Sequence, residues 1–127
     1  MILSNSRTLT RWLLIISGVL LVFSYFVFRP VPMVSEEKAL VTSGIVRDVF
    51  SAGAQDIVFE LQDDDRLFYI NHGSDRGLDI EQLQKLLMGN KVVIKYPRYW
   101  TPLDWKGEVR HVSKLEFGNQ ILFNELQ

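Results

Sequence analysis

The sequence predicts a small, mainly β domain carried behind a single membrane-spanning helix. Three observations lead there. A charge-free apolar run occupies residues 12–28. Period-two apolar patterns, separated by turn signals, fill most of residues 39–127. One segment between the third and fourth of these patterns switches to helical spacing. A chain of 127 residues holds one such domain, not two.

The apolar run, Trp12 to Phe28, covers 17 residues, the lower edge of what spans a bilayer as a helix. A cleavable signal peptide and a retained anchor both begin with a basic flank, here Arg7 and Arg11. A signal peptide ends its apolar core on small residues. Here the exit reads Phe26-Val-Phe-Arg-Pro30, bulky throughout, and no cysteine follows for lipid attachment. The run therefore reads as an uncleaved signal anchor. Trp12, Tyr25, Phe26 and Phe28 lie near its two ends, where aromatic rings favour the membrane interface. Residues 1–11 form a short tail without an acid, and Glu36 and Glu37 follow the helix. The positive-inside bias places the tail in the cytoplasm and residues 39–127 outside it, on a single-pass protein of the plasma (inner) membrane. Residues 29–38 are a linker, stiffened by Pro30 and Pro32.

Charge narrows the partner. Beyond Ser35 there are eleven bases and fifteen acids, a net charge near −4. Nucleic-acid binding calls for a basic face, and the acidic run Asp63-Asp-Asp65 is its opposite, so no nucleic-acid partner is expected. The absence of cysteine rules out disulfides and thiolate metal sites.

The strands follow in order. Residues 40–50 are rich in Val and Ile, broken by Gly44, and end in the turn Ser51-Ala-Gly-Ala-Gln55. Ile57, Phe59 and Leu61 alternate with Val58, Glu60 and Gln62, the pattern of a half-buried strand. Asp63-Asp-Asp65 makes the next turn, and Arg66 to Ile70 a third strand. Leu78, Ile80, Leu83, Leu86 and Leu87 keep helical spacing. Asp79 is placed to cap the helix, with Gln82 as its capping-box partner, and Gly89-Asn90 stops it. Strands resume at Lys91–Tyr96 and at Glu108–Phe117. Gly118-Asn119, glycine first, predicts a two-residue type II′ hairpin into Gln120–Glu125.

Three strands, one short helix and further strands resemble the OB-fold, a small Greek-key β-barrel, over about Leu40 to Leu126. The resemblance rests on element order, and the last hairpin exceeds the usual five strands. It implies ligands lying across the second and third strands. The flanking loops would be Ser51–Gln55 and Pro97–Gly107.

Catalytic constellations are missing. His72 and His111 lack metal-ligand spacing, and there is no H-x-x-x-H or H-E-x-x-H. Asp63, Asp64 and Asp65 point different ways from a turn and read as solvated, and they lack the glycine and further ligands of a calcium loop. No serine sits in a G-x-S-x-G elbow, although Ser113 and His111 share a strand face. No phosphate-binding glycine pattern occurs. The expectation is a protein without cofactor, metal or enzymatic activity.

The loop Pro97–Gly107 remains. Tyr96 belongs to the strand before it and points inward. Beyond it, Arg98, Tyr99, Trp100, Asp104 and Trp105 are the candidate binding residues, since Trp, Tyr and Arg dominate interface hot spots. The same aromatics could meet a sugar ring or lipid headgroups, or Trp100 and Trp105 could plug the barrel mouth. The expected function is a membrane-anchored binding module, an accessory or regulatory protein contacting another envelope protein. The alternative is an extracytoplasmic glycan or small-ligand binding domain.

Overall fold

The computed structural model describes residues 2–127, with side chains from Asn5 onward. Its elements are α1 (Ile2–Phe28), β1 (Leu40–Ala52), β2 (Asp56–Leu61), β3 (Leu67–Ile70), α2 (Ile80–Leu87), β4 (Lys91–Tyr96), β5 (Val109–His111), β6 (Lys114–Phe117) and β7 (Gln120–Asn124). They fall into two compact units. One comprises the chain up to Pro30 with Thr101–Leu103; the other comprises Val31–Trp100 with Asp104–Gln127.

The first unit is dominated by α1. At 27 residues and a rise of 1.5 Å each, the helix is about 40 Å long. Helical structure extends back through Arg7 and Arg11, beyond the apolar run. From Asn5 to Phe28 the helix is long and apolar enough to cross a membrane, and its apolar side chains are almost all exposed. A signal sequence has the same properties.

The second unit is a seven-stranded mixed sheet in the order β5-β3-β2-β1-β4-β6-β7. The thirteen residues of β1 serve two neighbours. Leu40–Ile45 pair antiparallel with β4, and Val46–Ala52 pair antiparallel with β2. A β-bulge falls between Val46 and Asp48. The extra residue resets the period of two, so Val46 and Val49, three apart, both face the core. The bulged Arg47 turns outward and pairs with Glu60 at 2.8 Å. Gly44 lies close against the Leu61 side chain. A Cβ there would stand 3.2 Å from the Leu61 Cδ1 atom.

The segment after the long loop does not run as one strand. β5 pairs parallel with β3, whereas β6 pairs antiparallel with β4. Between them the Val112 amide donates to the Tyr69 carbonyl and the Ser113 amide to the Lys95 carbonyl, both at 2.8 Å. The ladders therefore form an open sheet ending at β5 and β7, not the closed ring that the element order suggests. The hairpin to β7 is as expected: Phe117 faces Gln120 across the turn and Gly118 holds φ at 58°.

α2 covers one end of the core. Asp79 caps it through a 3.0 Å bond from the Gln82 amide, and Gly89, at φ 76°, ends it. Leu83 and Leu87 are buried among Val46, Val49, Phe59 and Ile94. The Gln84 side chain donates to the Val49 carbonyl at 2.7 Å, just past the bulge, and the Gly89 amide donates to the Val46 carbonyl. Tyr96 is 7% exposed and belongs to the core, as the alternation of Lys91–Tyr96 predicts.

The segment leading into β1 is held down. The Gln127 amide donates to the Val34 carbonyl at 3.1 Å. Glu36 Oε1 accepts from Lys114 Nζ at 2.8 Å and also from Lys95 Nζ, so one carboxylate joins this segment to β4 and β6.

The β1–β2 turn closes on two consecutive residues, Ala54 and Gln55, at φ 60° and 68°. Left-handed backbone costs a residue with a Cβ roughly 1–2 kcal/mol, and glycine avoids most of that. Ala54→Gly and Gln55→Gly should each raise stability by about 0.5–1 kcal/mol, after the greater freedom of glycine in the unfolded chain is subtracted. Thermal melts of the full chain check this. A fall in Tm for both variants would contradict it.

Candidate functional site

Two surface features of the sheet unit stand out: the loop that the sequence singles out, and a groove on the face of β2, β3 and β5. The loop is built from its own polar groups. The Asp104 carboxylate accepts from the Glu108 amide at 2.9 Å and from the Val109 amide at 2.8 Å, and the Gly107 amide donates to the Asp104 carbonyl. Gly107 sits at φ 67°, and a Cβ there would lie 2.4 Å from an Arg110 guanidinium nitrogen. That guanidinium donates to the Tyr99 carbonyl at 3.0 Å and lies 5.7 Å from the Tyr96 ring centre. Trp100 Nε1 donates to the Trp105 carbonyl at 3.2 Å, and the two indole rings meet edge to face at 5.1 Å.

The five candidate residues thus share one structured loop, but in different roles. Asp104 is a scaffold residue that binds backbone amides. Tyr99 is half-buried and supplies a carbonyl to Arg110. Arg98 is exposed. Trp100 is 39% exposed and Trp105 73% exposed, so neither indole belongs to the buried core.

The groove comes from strand register. Phe50, Val58, Tyr69 and His111 stand opposite one another in one row across β1, β2, β3 and β5. Leu67 and Val109 pair in the next row. Together with Ala52, Asp56 and Asn71, the side chains of Val58, Leu67, Tyr69 and Val109 line an open groove of about 480 Å³. Its floor is apolar, while Asp56, Asn71 and the Tyr69 phenol bring polar groups to it. Burial raises the Tyr69 pKa, and the charge of Asp56 adds to the effect. A phenol is protonated at neutral pH in any case and can donate. The loop meets the groove at Val109, whose amide Asp104 holds.

Beside the groove, His111 packs edge to face on Tyr69 and its Nε2 contacts Glu125 Oε1. Arg76 binds the other oxygen of Glu125 at 2.7 Å. His72 lies 3.5 Å from Asp75. The two histidines thus take separate carboxylate partners, and the Ser113 side chain is buried.

The acidic run behaves differently from the expected solvated turn. Asp63 and Asp65 are exposed, but Asp64 is clamped by Arg66 through both carboxylate oxygens, at 3.0 and 2.9 Å. Arg66 then donates to the Tyr96 hydroxyl at 2.8 Å and lies 5.1 Å from the Phe68 ring centre. One cation ties the β2–β3 turn to the end of β4. Hydrogen bonding from Arg66 holds the Asp64 carboxyl below its ordinary range.

No protein-family profile matches this chain, and no curated protein matches it. The reading of its surface therefore rests on the residues themselves.

The groove lies on the strands where the resemblance implies ligands, on the face opposite to the one that strand alternation marks as core. Its signal was present in the opposite phase. Val58, Leu67 and Tyr69 are apolar or aromatic residues at positions pointing away from Ile57, Phe59, Phe68 and Ile70.

Hydrogen bonds from Lys114 and Lys95 lower the Glu36 pKa from 4.5 to about 2, in the same direction as for Asp64. Both folded values lie below the unfolded ones. The stabilisation is therefore complete above about pH 4.5 and fades as pH falls toward the folded pKa values, near 2 for Glu36. Glu36→Gln and Asp64→Asn should be less stable than the parent at pH 7 and should lose less on acidification. Thermal melts from pH 7 to 2 measure this; parallel curves for parent and variants would refute it.

Proposed function

We propose that this chain is a membrane-anchored, non-catalytic binding module: α1 is a retained single-pass anchor, and the sheet unit lies outside the cytoplasm and contacts another envelope protein. The sheet is further read as an OB-like barrel. Support for that comes from the consecutive bonds of Val112 and Ser113, which hold one segment against both β3 and β4. In such a barrel the β2–β3 face is where partners lie, and the groove occupies that face.

The observation that carries the reading is the groove itself: an apolar floor with the polar groups of Asp56, Asn71 and Tyr69, bordered by Val109, whose amide is held by Asp104 of the loop. Fixed apolar clefts with a few placed polar groups are the usual form of binding sites. Pinned loops lose little entropy when they bind. A short tether also raises the effective concentration of the module for membrane neighbours. A photocrosslinker at Val109, in native membranes, should form one discrete adduct that Tyr69→Ala weakens about tenfold, the effect of losing one anchor side chain worth roughly 1.4 kcal/mol. Absence of any discrete adduct, with the protein folded and in the membrane, would count against a protein partner.

A second reading has its own support. Asp56, Asn71 and a protonated Tyr69 phenol beside apolar surface would also suit a small hydroxylated ligand such as a glycan. Binding at a hundred times Kd stabilises a folded protein by about 2.7 kcal/mol. A saturating glycan should therefore raise the Tm of the full chain by several degrees, and Asn71→Leu should abolish that rise. A flat response across a glycan panel would leave the protein-partner reading alone.

A further inference from the structure

We propose that the polar end of the groove is a cation site: Asp56, Asn71 and Tyr69 receive the lysine or arginine side chain of a basic protein segment, whose apolar residues lie on Val58, Leu67 and Val109. The proposal rests on the protein-partner reading of the groove and names the chemistry of that partner. Every residue involved belongs to the sheet unit.

Charge selects the occupant. Of the seven residues that line the groove, Asp56 alone is charged, and none is basic. Asp56 Oδ1 accepts from the His72 amide at 2.8 Å. Its Oδ2 atom has no partner among the described residues. Asp56 and Asn71 lie one residue beyond the Ile57–Ile70 pair, each on its own strand, and both line the groove with Tyr69. A carboxylate, an amide carbonyl and a phenol oxygen all accept hydrogen bonds, whereas lysine and arginine only donate. The long methylene stems of those two residues also cover apolar surface while the charge reaches a polar edge. The groove has both parts, an apolar floor and an acceptor-rich end. A neutral ligand would leave the Asp56 charge unmatched in the groove.

The surroundings act in the same direction. Asp48 and Glu60 stand opposite each other on β1 and β2, on the face that carries Ala52 and Val58 of the groove. Like charges so placed destabilise a sheet. Arg47 neutralises Glu60, but Asp48 accepts only from the Val49 amide, at 2.8 Å. Negative charge is thus in excess beside the groove, on a domain whose net charge beyond Ser35 is near −4. Such a field steers a basic partner toward this face. Backbone strain gathers at the same end. Among the described residues, three of the four non-glycine residues at positive φ are Ala54, Gln55 and His72. The first two directly precede Asp56, and His72 directly follows Asn71. Strain of this kind concentrates where a ligand is held.

The test uses the full chain in native membranes, with the photocrosslinker at Val109. Asp56→Asn keeps an oxygen for the His72 amide and removes the charge. It should lower the yield of the discrete adduct about tenfold, with Tm near that of the parent. Raising salt from about 0.1 M to about 1 M cuts the Debye length from roughly 10 to 3 Å, and should lower the parent's yield several-fold and the variant's hardly at all. A second readout leaves the chain otherwise unchanged. N-acetyl-arginine amide in large excess should compete the parent's adduct away, and its neutral isostere N-acetyl-citrulline amide should not, at matched ionic strength. A discrete adduct of equal yield in parent and Asp56→Asn, or one that both competitors leave alike, overturns the cation site and leaves the protein-partner reading standing. Absence of any discrete adduct overturns both, and a rise in Tm with a glycan then assigns the groove to the second reading.

Discussion

The sheet depends on one strand having two partners. β1 pairs with β4 through its first half and with β2 through its second. A strand of thirteen residues with a single period would present one face throughout, and the two ladders would continue one flat sheet. The bulge at Arg47 breaks that continuity. It bends the strand, changes which residues face inward, and lets Val46 and Val49 meet the same core. α2 locks the bend, since Gln84 and Gly89 bond to the carbonyls of Val49 and Val46 on either side of it. The neighbouring strands then inherit their positions from β1, and the Phe50–Val58–Tyr69–His111 row, whose Val58 and Tyr69 line the groove, follows from its second half.

Around this frame the polar side chains work as ties between distant segments. Arg66 joins the β2–β3 turn to Tyr96, Glu36 joins the entering segment to Lys95 and Lys114, and Arg110 joins β5 to Tyr99 in the loop. All three reach the same part of the chain, Lys95–Tyr99, where β4 gives way to the aromatic loop. A loop with two prolines and three large aromatics could have been a floppy insertion. Its fixed base, Asp104 above all, makes it a shaped surface instead, and the same carboxylate positions Val109 at the edge of the groove. The two candidate surfaces are thereby mechanically joined.

Local chemistry made much of this legible. The helix cap at Asp79, the stop at Gly89, the glycine-first turn at Gly118 and the inward Tyr96 are each determined by a residue and its near neighbours. All four stand where the sequence puts them. Less legible were features that need two distant segments. The sequence treated Asp64 as one of three solvated acids, because its partner's second role, bonding Tyr96 thirty residues on, leaves no local trace. The continuous strand expected over Glu108–Phe117 is divided at Val112–Ser113, because its two halves bond to different neighbours, and which neighbours is a property of the folded sheet.

By itself the sequence determined the apolar helix, the first four β elements and the last hairpin, the short helix between the third and fourth strands, and the aromatic loop as a place to look. These follow from periodicity, turn chemistry and composition, which act over a few residues. Only the tertiary structure decided which way the loop's indoles face, that Asp104 and Arg110 hold its base, and that an apolar row lies on the outer face of β2 and β3. Those depend on register between strands far apart in the chain. A shift of one residue in the β2–β3 pairing would put Val58 and Tyr69 on opposite faces and remove the groove.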